Sequence, residues 1–228
     1  MATARTGSAS TRLEEMFGEL GVERARPAES EALRTGVDGL DEALEGGLRS
    51  GLLTEIAEAR ASGGGQALLL HLLAAMRRAQ RFAALVDGTD SFDPQTTPKP
   101  LLEHLLWARC RSASEAMKVA DALLRDENLG MVLVDLRDME QRELRRSVKS
   151  ADWYRLQRLA ERSSSFVCVF TPEPMIPSAQ VRVSLLGQMC IDKLDASIDD
   201  LGRSLEIDVL RKRTREREAF PRLVQRVG

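Results

Sequence analysis

The residues with the clearest chemical potential are a glycine run at residues 62–65 (SGGG) and two aspartates, Asp87 and Asp135. The glycine run opens an apolar stretch with helical spacing, and each aspartate closes a short apolar run. Backbone N–H groups at the start of a helix attract anions, most easily where glycines allow a close approach. The pattern therefore indicates either weak binding of phosphate or sulfate, or glycines that only tolerate a close turn.

Short apolar runs alternate with stretches of helical spacing along the chain. We predict strands at residues 52–57, 82–87, 105–110, 131–136 and 165–170, and helices at residues 65–80, 114–125 and 152–163. Strands that are apolar throughout and separated by helices indicate a parallel sheet covered on both faces. After Pro177, residues 181–186, 189–194 and 204–213 alternate apolar with polar side chains, which is typical of antiparallel strands. We expect an α/β fold with a mixed, mostly parallel sheet, flanked by helices and ending in antiparallel strands.

An arm at residues 1–33 is predicted to precede a core domain at residues 34–228. The first ten residues are small and polar, which is typical of disorder. A short helix follows, with four apolar side chains at helical spacing: Leu13, Met16, Phe17 and Leu20. These side chains are candidates for binding a partner protein, and the alternative is that they fold back on the chain's own core.

Charge and cysteine usage limit the classes of partner. The formal net charge is −2, so no overall attraction to nucleic acid or to an anionic membrane is expected. Cys110, Cys168 and Cys190 have neither zinc-ligand spacing nor the pattern of a disulfide framework, which favours buried thiols, a cytoplasmic location and no metal site. One cationic cluster is either a candidate DNA-binding set or a solvated edge: Arg211, Lys212, Arg213, Arg215 and Arg217.

The segment RTGVDGLDEALEGGLRSGLLTEIAE at residues 34–58 resembles the start of the core of RecA-type recombinases. The matching positions are Thr35-Gly36, Leu40-Asp41, Gly46-Gly47-Leu48, Gly51 and Glu55-Ile56. Residues 82–94 and 105–136 are similar to the strands and helices that follow in that family. The patterns LLWARC and RLQRLAERS are most similar to ImuA-type proteins of the SOS mutagenesis cassette. The resemblance implies a RecA-like fold of the P-loop NTPase type.

The loop that would bind ATP departs from that family. A working loop has the pattern G-x-x-x-x-G-K-[ST], in which the lysine neutralises phosphate charge and the hydroxyl binds Mg²⁺. Here Glu58 replaces the first glycine, and Gly64 and Gly65 replace the lysine and the hydroxyl residue. Ser62 and Gly63 complete this degenerate loop. We therefore expect no bound nucleotide cofactor.

The catalytic position differs as well. In RecA-type enzymes a glutamate two residues beyond the strand-ending aspartate activates water, and the matching position after Asp87 is Thr89. Asp135 matches the Walker B acid, although an alternative role is to cap the next turn. We expect no catalytic residue and no enzymatic activity. A divergent ATPase that uses Asp90 and Asp135 is the alternative.

The two loops through which RecA-type recombinases bind single-stranded DNA are also altered. The second corresponds to TPEPMIPS at residues 171–178, which contains neither a basic residue nor an aromatic one for stacking. The resemblance implies a non-catalytic accessory protein of the SOS DNA-damage response and translesion mutagenesis, with RecA and an ImuB-type polymerase homologue as partners and no membrane partner. The alternatives are a DNA-binding recombinase paralogue, with weak DNA contact through the arginine-rich strand, and a cell-division inhibitor with a similar core.

Overall fold

A computed structural model describes residues 30–58, 60, 62–126, 128–188 and 196–212. Several predicted features lie outside these residues: the strand predicted at residues 189–194, and Leu13, Met16, Phe17, Leu20, Cys190, Arg213, Arg215 and Arg217. Within the described ranges, no helix is both long enough and apolar enough to cross a membrane.

Strands and helices alternate through most of the described chain. The strands are β1 (Ala32–Leu33), β2 (Leu48–Arg49), β3 (Leu53–Glu58), β4 (Phe82–Asp87), β5 (Leu105–Arg109), β6 (Leu129–Asp135), β7 (Phe166–Thr171), β8 (Val181–Leu185) and β9 (Ile207–Lys212). The helices are α1 (Asp38–Ala43), α2 (Gly65–Arg78), α3 (Lys99–Leu102), α4 (Ala113–Leu123), α5 (Gln141–Ser147), α6 (Ser150–Arg162) and α7 (Ile198–Arg203).

Seven of these strands form one mixed sheet in the order β5-β4-β6-β7-β3-β8-β9. Neighbouring strands run parallel except for β8 and β9, which are antiparallel. Strands β1 and β2 form a separate antiparallel pair. This arrangement confirms the predicted α/β fold with a mostly parallel sheet.

The two faces of the sheet carry separate hydrophobic cores. On one face α2 contributes Leu68, Leu72 and Met76, which cluster with Phe166 and Phe170 of β7. On the other face the cluster includes side chains of α4 and of α6, among them Ala116, Ala120, Trp153, Leu156 and Ala160. Because helices cover both faces, the central strands β6 and β7 are buried at every residue.

The antiparallel pairing predicted for the C-terminal strands is confirmed, because β8 and β9 run antiparallel to each other. The residue pattern did not indicate that β8 also runs parallel to β3. Its apolar-polar alternation arises from Arg182, whose Nε lies 2.5 Å from Oε2 of the buried Glu55. The alternation of apolar and polar residues in β8 is also the pattern of a strand with one face in solvent, but here the polar Arg182 pairs with a buried carboxylate.

A buried carboxylate holds the turn that leads into α1. Oδ1 of Asp41 accepts hydrogen bonds from the backbone N–H and the hydroxyl of Thr35, both at 2.8 Å, and its Oδ2 accepts one from Gly36 N at 3.1 Å. Asp41 is only 7% exposed, so these contacts replace water around the carboxylate. The Thr-Gly and Leu-Asp pairs that the sequence singled out are thus two halves of one structural turn.

Replacing Asp41 should destabilise the fold. We expect Asp41→Ala to lower the free energy of unfolding by about 2–4 kcal/mol, because two backbone N–H groups and a hydroxyl lose a charged acceptor. Urea denaturation followed by circular dichroism measures the effect. Asp38→Ala, at an exposed position in the same helix, is the matched control and should change stability by less than about 1 kcal/mol. Equal effects of the two substitutions would contradict this account of the turn.

Candidate functional site

The candidate site is the loop between β3 and α2, which contains the altered phosphate-loop pattern at residues 58–65. Strand β3 ends at Glu58, and α2 begins at Gly65 with Gly64 as its N-cap residue. The φ angle of Gly64 is +104°, a backbone conformation that residues with a Cβ rarely adopt. A lysine at this position would therefore be strained unless the loop changed its path.

The Glu58 side chain lies directly against the glycine run. A Cβ atom placed on Gly65 would come within 2.0 Å of Glu58 Oε2, and one placed on Gly63 within 2.9 Å of Glu58 Cγ. Both distances are shorter than any real contact of a Cβ atom, so the glycines provide the room in which the carboxylate sits. The loop at the start of α2 therefore surrounds a carboxylate that belongs to the chain itself.

Arg137 connects this carboxylate to the end of β6. Its Nη1 lies 3.6 Å from Glu58 Oε2, and its Nη2 lies 2.8 Å from Asp135 Oδ2. The same Nη2 donates a hydrogen bond to Gln66 Oε1 at 2.9 Å. The guanidinium also lies over the ring of Phe170, 5.5 Å from its centroid. Arg137 thus joins β3, α2, β6 and β7 within one cluster, which we call the ion cluster: Glu58, Gln66, Asp135 and Arg137.

The ion cluster is largely closed to solvent. The side chains of Glu58 and Arg137 are 8% and 9% exposed, and that of Asp135 is 1% exposed. Arg137 contacts Glu58 Oε2 and Asp135 Oδ2 as an ion pair, and neither oxygen accepts a well-aligned hydrogen bond from the described residues. Burial raises the pKa of Asp135 to about 6, and the nearby Arg137 opposes this rise. Two carboxylates face a single guanidinium, so the cluster is a poor environment for a further anion.

A second buried carboxylate, Asp87, organises the loop that follows β4. It accepts hydrogen bonds from the backbone N–H groups of Ser91 and Phe92 at 3.1 and 3.0 Å. It also accepts a bond of 3.3 Å from Thr89 N and one of 3.2 Å from Trp107 Nε1. These contacts hold Thr89 at the predicted catalytic position, where its hydroxyl donates to Ser91 Oγ.

Asp90, the alternative candidate base, is engaged elsewhere. It has a positive φ of 57° and forms a two-pronged ion pair with Arg109 at the end of β5. The guanidinium of Arg109 lowers the pKa of Asp90. A carboxylate whose pKa is held down by such a pair is a weak base.

A third buried carboxylate, Glu55, holds the loop at residues 171–178. Its Oε1 accepts hydrogen bonds from Met175 N at 2.6 Å and from Ile176 N at 2.8 Å. Arg182, which pairs with Oε2 of the same carboxylate, donates to Ile176 O at 2.7 Å. The loop is thereby fastened to β3 and β8 through its own backbone.

Comparison with known proteins identifies the family of this chain. The model of the RecA N-terminal domain matches residues 6–140 of the chain. The RecA protein of Ruegeria pomeroyi is 36% identical over 136 residues, which cover 56% of this chain and 39% of that protein. The RecA protein of Synechocystis is 33% identical over 134 residues, covering 56% of this chain and 37% of the relative. The chain belongs to the RecA N-terminal domain family. It spans about two fifths of the length of these RecA relatives.

In this RecA-like chain the structure brings together only some of the predicted site residues. Glu58, Gly63, Gly65 and Asp135 lie close together, and Arg137, which was not predicted, joins them. The one signal for Arg137 in the sequence is its position two residues beyond the strand-ending Asp135. Ser62, the remaining residue of the predicted loop, is exposed and has a positive φ of 64°.

The two described residues of the cationic cluster make contacts within the RecA-like core. Arg211 Nη1 donates to Pro177 O at 3.1 Å, and Lys212 Nζ lies 2.6 Å from Glu45 Oε1. Their role as DNA-binding residues stays a prediction. In the part of the chain that the structure describes, no group of three or more histidine, cysteine or acidic side chains is arranged to hold a metal ion.

The raised pKa of Asp135 makes stability depend on pH. Because the folded chain holds the Asp135 proton more tightly than the unfolded chain, this group stabilises the fold fully below about pH 4, and the contribution is lost as the pH rises through about 6. We expect Asp135→Asn to remove a pH-dependent term on the order of 3 kcal/mol between these limits. Urea unfolding of both proteins from pH 4 to pH 7 measures the difference. Glu140→Gln, at an exposed position that is not among the charges acting on Asp135, should leave the profile unchanged. An unchanged profile for Asp135→Asn would refute the assignment.

Proposed function

We propose that this protein is a non-catalytic RecA-like accessory protein of the SOS DNA-damage response and translesion mutagenesis. It would act by binding RecA and an ImuB-type polymerase homologue, without binding or hydrolysing ATP. The observation that carries the proposal is the ion cluster, in which Glu58 occupies the loop at the start of α2 and Arg137 ties it to Asp135.

The ion cluster argues against nucleotide binding on electrostatic grounds. A phosphate chain entering this loop would meet the Glu58 carboxylate, and the lysine and hydroxyl that normally attract phosphate and Mg²⁺ are both glycines. Each missing charge-assisted contact removes about 1.5–3 kcal/mol of binding. Two such losses correspond to roughly 10²- to 10⁴-fold weaker binding, before the repulsion from Glu58 is added.

The other two carboxylate-centred loops support the same conclusion. The loop after β4 places Thr89, which is not a base, at the position that corresponds to the catalytic glutamate, and Asp90 is paired with Arg109. The loop at residues 171–178 is fastened to Glu55 and offers no cation or aromatic ring to a DNA strand. The RecA-like sheet and helices are kept, whereas the loops after β3, after β4 and at residues 171–178 differ from those of a recombinase. Such a chain is better suited to binding other proteins than to recombination.

A titration with Mg-ATP tests the non-catalytic part of the proposal. We expect the natural protein to show no saturable heat up to about 1 mM ATP, which is the limit of weak binding. Gly64→Lys/Gly65→Thr should also fail, because a threonine Cβ would lie 2.0 Å from Glu58 Oε2. Adding Glu58→Gly to that pair removes the repulsion and the clash with Glu58. The threonine Cβ then lies close only to Arg137 Nη1, at 2.4 Å, which is the movable end of a long side chain, so the triple variant should gain affinity. Saturable binding by the natural protein would exclude the non-catalytic proposal and favour the divergent ATPase.

A binding assay with the RecA of the same host tests the partner. We expect saturable binding, measured by biolayer interferometry with and without ATP and single-stranded DNA. Leu13→Ala/Phe17→Ala should weaken it at least tenfold, about 1.4 kcal/mol, because buried apolar anchors carry most of the energy of an interface. Leu210→Ala, at an apolar side chain 53% exposed on β9, is the control. Full binding by a chain lacking residues 1–29 would contradict the role of the arm.

A further inference from the structure

An apolar cavity opens between the β1–β2 pair and the sheet, on the side where β3 and β8 begin. Its volume is about 250 Å³. The floor is formed by Leu44, Leu48, Leu52 and Val181, each of them no more than 5% exposed. Ser30, Glu45, Arg49 and Lys212 also line it. The cavity lies at the amino ends of β3 and β8. The ion cluster lies at the other end of the sheet, at the carboxyl ends of β3 and β6.

The apolar lining of this partly open cavity favours an apolar occupant, because covering the lining removes apolar surface from water and adds dispersion contacts. A cavity of about 150 Å³ lined by aliphatic side chains stays dry and admits a molecule the size of benzene. This one therefore has room for one or two large apolar side chains and little attraction for water.

We propose that the apolar side chains of the arm, Phe17 foremost, occupy this cavity in the same chain. The arm leaves the core at the cavity itself, because Ser30 lines it and is fastened there: its hydroxyl donates to Ser50 O at 3.0 Å, and Glu31 N donates to Ser50 Oγ at 2.9 Å. Thirteen positions separate Phe17 from Ser30. A chain of that length spans up to about 40 Å, so the reach is ample.

Charge favours the arm over the other end of the chain. Residues 13–20 carry three glutamates, Glu14, Glu15 and Glu19, and no cation, whereas the cavity rim has two cations, Arg49 and Lys212, against the single acid Glu45. Residues 213–228 also hold apolar side chains, but they carry five arginines against two glutamates. Like charges repel at a rim of this kind, so the acidic arm is the better match.

Docking within one chain does not depend on RecA or on the absence of ATP. If the arm also binds RecA as proposed above, it must first leave the cavity. Without such a partner, the apolar side chains of the arm stay covered by the cavity. The experiment below uses the isolated protein, so its outcome is separate from the outcome of the RecA-binding assay.

Disulfide trapping in the full chain tests the proposal. Cys110 and Cys168 are buried, and Cys190→Ser removes the remaining thiol from the background. Phe17→Cys combined with Glu45→Cys should form an intrachain bridge under mild oxidation, since a disulfide needs Cα atoms about 4.4–6.8 Å apart. Non-reducing electrophoresis and mass spectrometry of the monomer read out the bridge. The control is Phe17→Cys with Arg142→Cys, which is exposed on α5, and it should not close.

Three outcomes would overturn the proposal: no bridge, a bridge found only in covalent dimers, or a bridge formed preferentially by Phe220→Cys with Glu45→Cys. A second measurement avoids engineered thiols. Trypsin should cleave after Arg12 and Arg24 at least severalfold faster in Phe17→Ala than in the natural chain, because the undocked arm is open to the protease. Equal cleavage rates would count against docking.

Discussion

Buried carboxylates must be matched by hydrogen-bond donors, and this constraint organises one edge of the protein. Glu55, Glu58, Asp87 and Asp135 all lie on parallel strands β3, β4 and β6, where the helices that cover both faces exclude water. Leaving such a group without partners costs several kcal/mol. Each carboxylate therefore gathers backbone N–H groups or an arginine around it, and the loops follow the paths that these contacts require.

Glu55 and Asp87 are matched mainly by backbone N–H groups. Each folds the loop nearest to it into a fixed shape, at residues 171–178 and 88–92 respectively. A loop whose N–H groups are already used cannot also reorganise around a ligand without giving up those bonds. The hydrogen bonds of Glu55 and Asp87 therefore fix two loops of the RecA-like core. Fixed loops are consistent with our proposal that this core binds other proteins.

Glu58 and Asp135 are matched differently, by a single arginine, and the match is incomplete. Two carboxylates share Arg137, and two of their oxygens accept no hydrogen bond from the described residues. Burial raises the pKa of Asp135, and Arg137 offsets only part of this rise. The cluster nonetheless joins β3, β6, β7 and α2. An internal ion pair can therefore hold together the carboxyl ends of neighbouring strands.

Much of this architecture followed from local sequence. The apolar runs at residues 82–87, 131–136 and 165–170 were predicted to be buried strands, and they form β4, β6 and β7. Ser112 is the N-cap of α4, where its hydroxyl oxygen accepts from Glu115 N at 3.2 Å. Hydrophobic periodicity and capping act over a few residues, so they are visible in the sequence. The parallel pairing of β8 with β3 was not foreseen, because the alternation around Arg182 comes from an ion pair with Glu55, which is 127 positions away.

The same division applies to the candidate site. Residue identities at known spacing were enough to show that Gly64 and Gly65 stand where the pattern has a lysine and a serine or threonine. What fills the loop instead depends on the tertiary structure: Glu58 turns into the glycine run, and Arg137 reaches it from the end of a different strand, 79 positions further along. Contacts between distant positions depend on how strands are ordered in the sheet, and local patterns of residues carry no information about that order.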